Sequence, residues 1–110
     1  MPRDPTDRLH DIVEACEAIA RYIAGFDAQS FAVDPKTRDA VVRQFEIVGE
    51  AVKALPPEWT AREPGIQWRQ IAGFRDVLAH AYFAVDASVV WDAAAHKAPE
   101  LRLACLRLLA

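Results

Sequence analysis

The chain has 110 residues, of which 53% are hydrophobic and 26% charged, with a formal net charge of −3 at pH 7. That length and balance predict one folded domain, residues 1–110, able to build its core without disulfides or metal, and they exclude a disordered chain. The acidic net charge excludes a protein that coats nucleic acid through a broad basic surface, so any contact with a polyanion must be local.

The opening MPRDPTDRLHDIVEA carries charges where a secretory signal would need an apolar run. A first helix is predicted from about Asp7 to Ala24, with Leu9, Ile12, Val13, Cys16, Ala20 and Ile23 at helical spacing and Gly25 where a C-terminal cap belongs. Asp34-Pro35 reads as an N-cap followed by proline at the first helical position. The second helix presents Val41, Phe45, Val48, Val52 and Leu55 and stops at Pro56-Pro57. The proline-rich connection PPEWTAREPG leads to a third helix from about Gln67 to Tyr82. The most apolar stretch, Ile71 to Val85, is too short to span a bilayer and contains Arg75, Asp76 and His80, so no membrane segment is predicted.

Asp86 caps a fourth helix beginning at Ala87, Pro99 should break or kink it near Lys97, and an amphipathic piece from Leu101 to Leu109 completes the chain. No strand-like alternation, repeat or glycine-rich phosphate loop competes. Short connections between long amphipathic helices predict an all-α fold, an antiparallel bundle of four or five helices. Lys97, Arg102 and Arg107 against Glu100 make a mild basic excess, read as a solvated helix face. Cys16 and Cys105 lie far apart in helical patterns with no CxxC pair or Cys/His cluster. They read as buried thiols in a reducing compartment, with a structural disulfide as the alternative, and they imply neither a metal site nor a cofactor. The expected location is the cytoplasm.

The third helix carries an anomaly. With Arg75 at zero on a wheel of about 100 degrees per residue, Trp68, Ile71, Ala72, Leu78, Ala79 and Tyr82 fall within roughly 60 degrees of it. A guanidinium on an apolar stripe must meet a carboxylate, carbonyl oxygens, a subunit partner or a bound anion. A helix end or a glutamate such as Glu50 is one candidate partner and an anion is the other. His80 falls about 140 degrees away, on a polar arc with Arg69, Gly73 and Asp76. Asp76 precedes it by four residues, so the two side chains can touch, and a carboxylate there would favour the imidazolium of a proton donor or shuttle. An ordinary surface ion pair is the alternative. On one straight helix Arg75 and His80 cannot face a single phosphate, so either the helix ends or distorts around Ala79 to His80 or a second chain completes the site. Tyr82 returns to the arginine face, where core packing with the hydroxyl at the rim is its plain role.

The order Arg75-Asp-Val-Leu-Ala-His80-Ala-Tyr82 resembles the R-x-x-x-x-H-x-Y motif of HEPN ribonucleases, and more narrowly that of the HepT-like toxins of HepT/MntA type VII toxin–antitoxin pairs. IVGEAVKAL, residues 47–55, looks like that family's second-helix signature, and WRQIAGFRDVLAHAYFAVD like its third helix and exit. The resemblance implies a HEPN-like bundle and a metal-independent endoribonuclease. It implies that Arg75 holds the scissile phosphate and that His80 serves acid–base chemistry as the RNA 2′-hydroxyl attacks, leaving a cyclic phosphate. It further implies a homodimer whose two copies form a composite cleft, and an MntA-like nucleotidyltransferase antitoxin that silences the toxin by adding AMP to Tyr82.

Two positions depart from the family pattern. Asp76 stands where asparagine is common, and its carboxylate repels RNA phosphate unless Arg69, Arg75 or His80 neutralises it. Ala81 stands where glycine is common, which makes a sharp left-handed turn less favourable. Two other readings stand beside the nuclease. One is a non-catalytic helical dimer that binds and partners a nucleotidyltransferase, with Arg75 engaging nucleotide phosphate. The other is a purely structural bundle with a salt-bridged Arg75.

Overall fold

The computed structural model describes residues 4–110, so the first three residues of the charged N-terminal stretch lie outside it. The Asp4 carboxylate accepts the Thr6 backbone N–H at 2.9 Å, and Pro5 occupies a first-turn position where its missing N–H has no intrahelical partner to lose. Helix α1, Pro5–Ile23, therefore starts slightly before the predicted Asp7. It ends ahead of Gly25, whose φ of +83° is the left-handed conformation expected of a helix-terminating glycine. The span that follows, where periodicity predicts no element, holds the five-residue helix α2, Ala28–Ala32. Asp27 and Ser30 cap it reciprocally, and it delivers Phe31, fully buried, against Trp91 with ring centroids 5.4 Å apart.

Helix α3, Pro35–Lys53, opens as predicted: the Asp34 carboxylate accepts the Thr37 N–H at 3.0 Å. Its predicted stripe of Val41, Phe45, Val48 and Val52, with Leu55 beyond, is buried throughout. The proline-rich connection holds a single turn, α4 (Pro57–Thr60), and is pinned to the next helix where the Trp68 indole N–H donates to the Glu63 carbonyl at 3.1 Å. Helix α5, Trp68–Ala81, is followed by a 3₁₀ turn, Tyr82–Ala84.

Asp86 caps α6, Ala87–Asp92, by accepting the Ser88 N–H at 2.8 Å. Pro99 was expected to break or kink the chain near Lys97. Instead a π-helical turn, Ala93–Lys97, carries α6 into α7, Ala98–Leu109, and Pro99 sits in the first turn of α7. The wider π turn removes the steric conflict between the proline ring and the carbonyl four residues back, so the helix widens rather than stops.

Helices α1 and α3 pack at the centre, with α5 on the far flank of α3 and α7 on the far flank of α1; α2 and α6 close over part of the assembly. No strand occurs among the described residues, and one apolar core unites all the long helices. Each fully buried leucine or isoleucine in it, such as Leu9, Ile12 and Ile19, contributes roughly 1.5–3 kcal/mol. The two arginines of the basic tail are paired rather than merely solvated: Arg102 reaches Glu17 of α1 at 3.0 Å, and Arg107 grips Glu63 through two bonds of 2.7 and 3.1 Å. No helix among the described residues is long and apolar enough to cross a membrane.

Cys16 and Cys105 are free and buried, and burial pushes both thiols up to about 12. Neither should react with iodoacetamide at pH 7.5 in the native protein, while both should react in denaturant; mass spectrometry reads the difference, and rapid labelling of the folded protein would contradict the packing.

Candidate functional site

Helix α5 lies at the edge of the bundle, resting chiefly on α3. Leu78 is its one fully buried side chain; Trp68, Ile71, Ala72 and Phe74 are partly buried against the core. The exposed face carries Gly73, Val77, His80 and Ala81. Ala79, expected on the buried stripe, is exposed as well, because no element covers that side of α5.

The two helices meet at Gly49. A Cβ built there would overlap the Cβ and Cγ of Arg75, so the absence of a side chain at Gly49 is what admits the arginine stem. Sunk to 29% exposure, the guanidinium finds the Glu50 carboxylate at 3.1 Å and donates to Asp76 Oδ1 at 3.3 Å. Glu50 is one of the candidate partners named from the sequence. Arg75 Nε is buried without a partner, a donor still unspent. Beside it opens a cleft of about 430 Å³ lined by Arg8, Asp11, Arg43, Glu46, Ile47, Glu50, Ala51 and Arg75. Its formal charges balance, three arginines against three carboxylates.

Asp76 does not do what its spacing predicts. Its carboxylate turns to Lys53 Nζ at 2.5 Å and to Arg75 rather than to His80, and the Lys53 hydrogen bond first, then the arginine, holds it below the usual carboxylate range. A lysine on α3 and an arginine one residue back outcompete a histidine one turn on. Both neutralise the carboxylate that would otherwise repel a phosphate. His80 is bonded instead through Nδ1 to the Asp76 backbone carbonyl at 2.9 Å. A carbonyl only accepts, so Nδ1 carries the proton and Nε2 is left free on an exposed ring.

Tyr82 leaves the helix by a different route. Ala81, at φ −138° and ψ 34°, ends α5 without a left-handed residue, as alanine in place of glycine requires. The Tyr82 ring packs on the core, and its hydroxyl donates to Asp39 and accepts from Arg38 Nε at 3.4 Å. Its hydroxyl is thus at the rim, held by the opening turns of α3. The helix stays regular as far as His80 and departs only at Ala81, so Ala79 and His80 are not themselves displaced from the helical path. The structure brings Arg75 and Asp76 together with Glu50 and Lys53. It leaves His80 outside the arginine cleft and Tyr82 further along α3. Glu50 was foreseen; Gly49 and Lys53 were missed, because neither carries a chemical signature apart from the contact it makes. Among the described residues no group of three or more His, Cys, Asp or Glu side chains gathers as a metal site.

Residues 12–108 match the family described as ribonuclease HepT-like. The chain belongs to the HepT-like ribonuclease family. It is 41% identical over 102 residues to a "Probable ribonuclease HepT" of Thermococcus cleftensis, covering 93% of each chain. A "Putative RNase" of Caldanaerobacter subterraneus subsp. tengcongensis is 37% identical over 99 residues, 90% of this chain and 88% of that one. A "Putative RNase" of Methanocaldococcus jannaschii is 36% identical over 100 residues, 91% of this chain and 83% of its own. No solved structure gives a significant match. Membership agrees with the all-helical bundle.

Gly49→Ala tests that seam. Alanine gains about 1 kcal/mol over glycine in a helix interior. Here the added methyl meets a Cβ rather than a flexible chain end, and overpacking costs about 3 kcal/mol. The expected net effect is a melting temperature lower by on the order of 8 °C, read by circular dichroism; an unchanged or raised value would show that the helices do not meet at Gly49.

Proposed function

We propose that this HepT-like chain is a metal-independent endoribonuclease toxin acting in the cytoplasm, with Arg75 and His80 as its catalytic side chains in a cleft made by two copies. The observation that carries the reading is the state of His80: Nδ1 is committed to the Asp76 carbonyl, and Nε2 is free on an uncovered helix face. That arrangement suits an imidazole that must give or take a proton at one defined nitrogen. The nucleophile lies in the substrate. As the RNA 2′-hydroxyl attacks phosphorus, its proton passes to a neutral imidazole, the P–O5′ bond breaks, and the leaving 5′-oxygen takes a proton from an imidazolium. The products are a 2′,3′-cyclic phosphate and a 5′-hydroxyl. Two copies supply two His80 rings, one for each transfer, and Arg75 stabilises the charge that grows on the phosphoryl oxygens. No step requires a metal.

Homodimerisation through α5 is supported by that helix's outward face. Gly73 has open space above it, Val77 is 47% exposed, and Ala81 is small, so a second helix can approach closely across His80. In the same reading an MntA-like nucleotidyltransferase transfers AMP to Tyr82, whose hydroxyl is presented at the rim by Asp39 and Arg38. The added phosphate and nucleoside exclude RNA by charge and bulk.

A second reading, a non-catalytic dimer that partners a nucleotidyltransferase, is favoured by one observation: Arg75 is already neutralised by Glu50 and Asp76. RNA digestion separates the two. Purified dimer should cut total RNA in EDTA, leaving cyclic phosphate ends, and His80→Ala should lose at least about 100-fold of the rate, the lower range for general acid–base catalysis, with an unchanged circular dichroism spectrum. Intact RNA from a confirmed folded dimer would sink the nuclease reading. For the switch, incubation with the nucleotidyltransferase and ATP should add one AMP mass to the Tyr82 peptide and none to a Tyr82→Phe variant; modification at another residue would refute it.

A further inference from the structure

One side chain beside the motif is in an unusual state. Phe83 is 99% exposed, a whole phenyl ring in water, one residue past Tyr82 and three past His80. It is not loose. The 3₁₀ turn fixes its backbone, and its ring meets Tyr82 edge to face, with centroids 5.4 Å apart and planes at 81°. Tyr82 is in turn anchored to Asp39 and Arg38. Exposed Ala81 and Ala84 flank the ring and leave its face accessible.

Arg38 supplies the second element. Its Nε donates to the Tyr82 hydroxyl at 3.4 Å, and among the described residues its guanidinium meets no carboxylate within ion-pair distance. Arg43 and Arg75, which line the cleft beside α3, differ: they are paired with Glu46 and Glu50. An open aromatic face and a guanidinium with no carboxylate at ion-pair distance therefore converge on one tyrosine. A flat apolar ring with a cation to one side is complementary to a nucleotide, base on the ring and phosphate on the guanidinium. A lone ring offers too little area to hold a second subunit by itself, since a stable interface buries on the order of 800 Å² per partner.

We propose that Phe83 and Arg38 form a nucleotide subsite for single-stranded RNA next to His80. Phe83 stacks on an unpaired base and Arg38 holds the neighbouring phosphate. The inference rests on the ribonuclease reading and adds its substrate class. Duplex RNA keeps its bases stacked and its backbone in A-form, so it offers this ring nothing to bind. Phe83 and Arg38 are positioning residues for the substrate and take no part in proton transfer.

The experiment uses the full chain carrying His80→Ala, which keeps RNA intact, and a 12-nucleotide single strand with one 2-aminopurine. Binding should quench the fluorophore. Adding Phe83→Ala should abolish the quench and weaken binding about 5- to 150-fold, the range for one lost base–aromatic stack. Phe83→Trp should restore both, and Arg38→Gln should flatten the salt dependence of binding by about one counterion. A matched RNA duplex should bind equally weakly to every variant. Phe83 lies in solvent, so its variants test contact rather than folding. Unchanged quench and affinity in Phe83→Ala would overturn the subsite, as would dissociation of the dimer by that substitution, which would make the ring a subunit contact. Cleavage by the otherwise wild-type chain is scored separately. Intact RNA there with a Phe83-dependent quench would remove the nuclease and leave the subsite, whereas cleavage that ignores Phe83→Ala would do the reverse.

Discussion

The approach of α5 to α3 at Gly49 sets the rest of this molecule. Because residue 49 has no side chain, the Arg75 stem can lie against the α3 backbone, and the arginine enters an otherwise apolar stripe. Depth then dictates chemistry. A guanidinium at that depth needs anionic partners, and the next residue of α3, Glu50, supplies one at 3.1 Å. Asp76, clamped by Lys53, supplies the other. The same seam leaves α5 resting on a single neighbour, so its opposite face, with His80, stays uncovered. One absent methyl thus fixes both where the arginine is and which way the histidine looks.

That seam also explains how a chain with a net charge of −3 can belong to a ribonuclease family. Its basic residues are not pooled into a surface. Arg102 and Arg107 are spent on tying α7 to α1 and to the α4–α5 connection. Around Arg75 the cleft balances Arg8 and Arg43 with Asp11 and Glu46. On the proposed reading a phosphate does not meet a free cation; it takes the place of Glu50. Such an exchange is inexpensive where the pair is still partly solvated, because an exposed ion pair is worth only about 0–1 kcal/mol. It also discriminates, since a bidentate phosphate oxyanion displaces a carboxylate and a neutral ligand does not.

How far all this could be read from residues alone follows from the range of each interaction. The stripes of α1 and α3 are periodic over five turns; the α3 stripe is buried where the period places it, and the α1 stripe is buried from Leu9 to Cys16, after which Ile19 takes the core position and Ala20 is exposed. Helix α2 has five residues and no period to show; it exists because Asp27 and Ser30 cap it and Phe31 finds Trp91, sixty positions away. Pro99 was legible as a disturbance but not as a π turn, since the remedy belongs to the preceding residues. At the site, the wheel found that Arg75 needs a polar or anionic partner, and of the candidates Glu50 is the one that meets it. The same wheel paired Asp76 with His80, and failed because Lys53, twenty-three residues back, is a stronger partner. Gly49 stood inside a segment already singled out, yet glycine declares its purpose only when the opposing stem is known.

The regularity of α5 carries the last step. Its helical path runs unbroken as far as His80, and the chain departs at Ala81 into the 3₁₀ turn that follows. Arg75 therefore faces α3 and the central cleft, while His80, five residues on, faces away from both. A late distortion cannot rotate a residue that precedes it. For the two to serve one phosphate, the missing half must come from outside the chain, and the uncovered side of α5, small at Gly73 and Ala81 and apolar at Val77, is where a second copy fits. The turn after Ala81 then acquires its own purpose. By ending the helix just past His80, it carries Tyr82 back to α3 and turns Phe83 outward, so the edge of such a two-chain cleft is an aromatic pair braced on one side and open on the other.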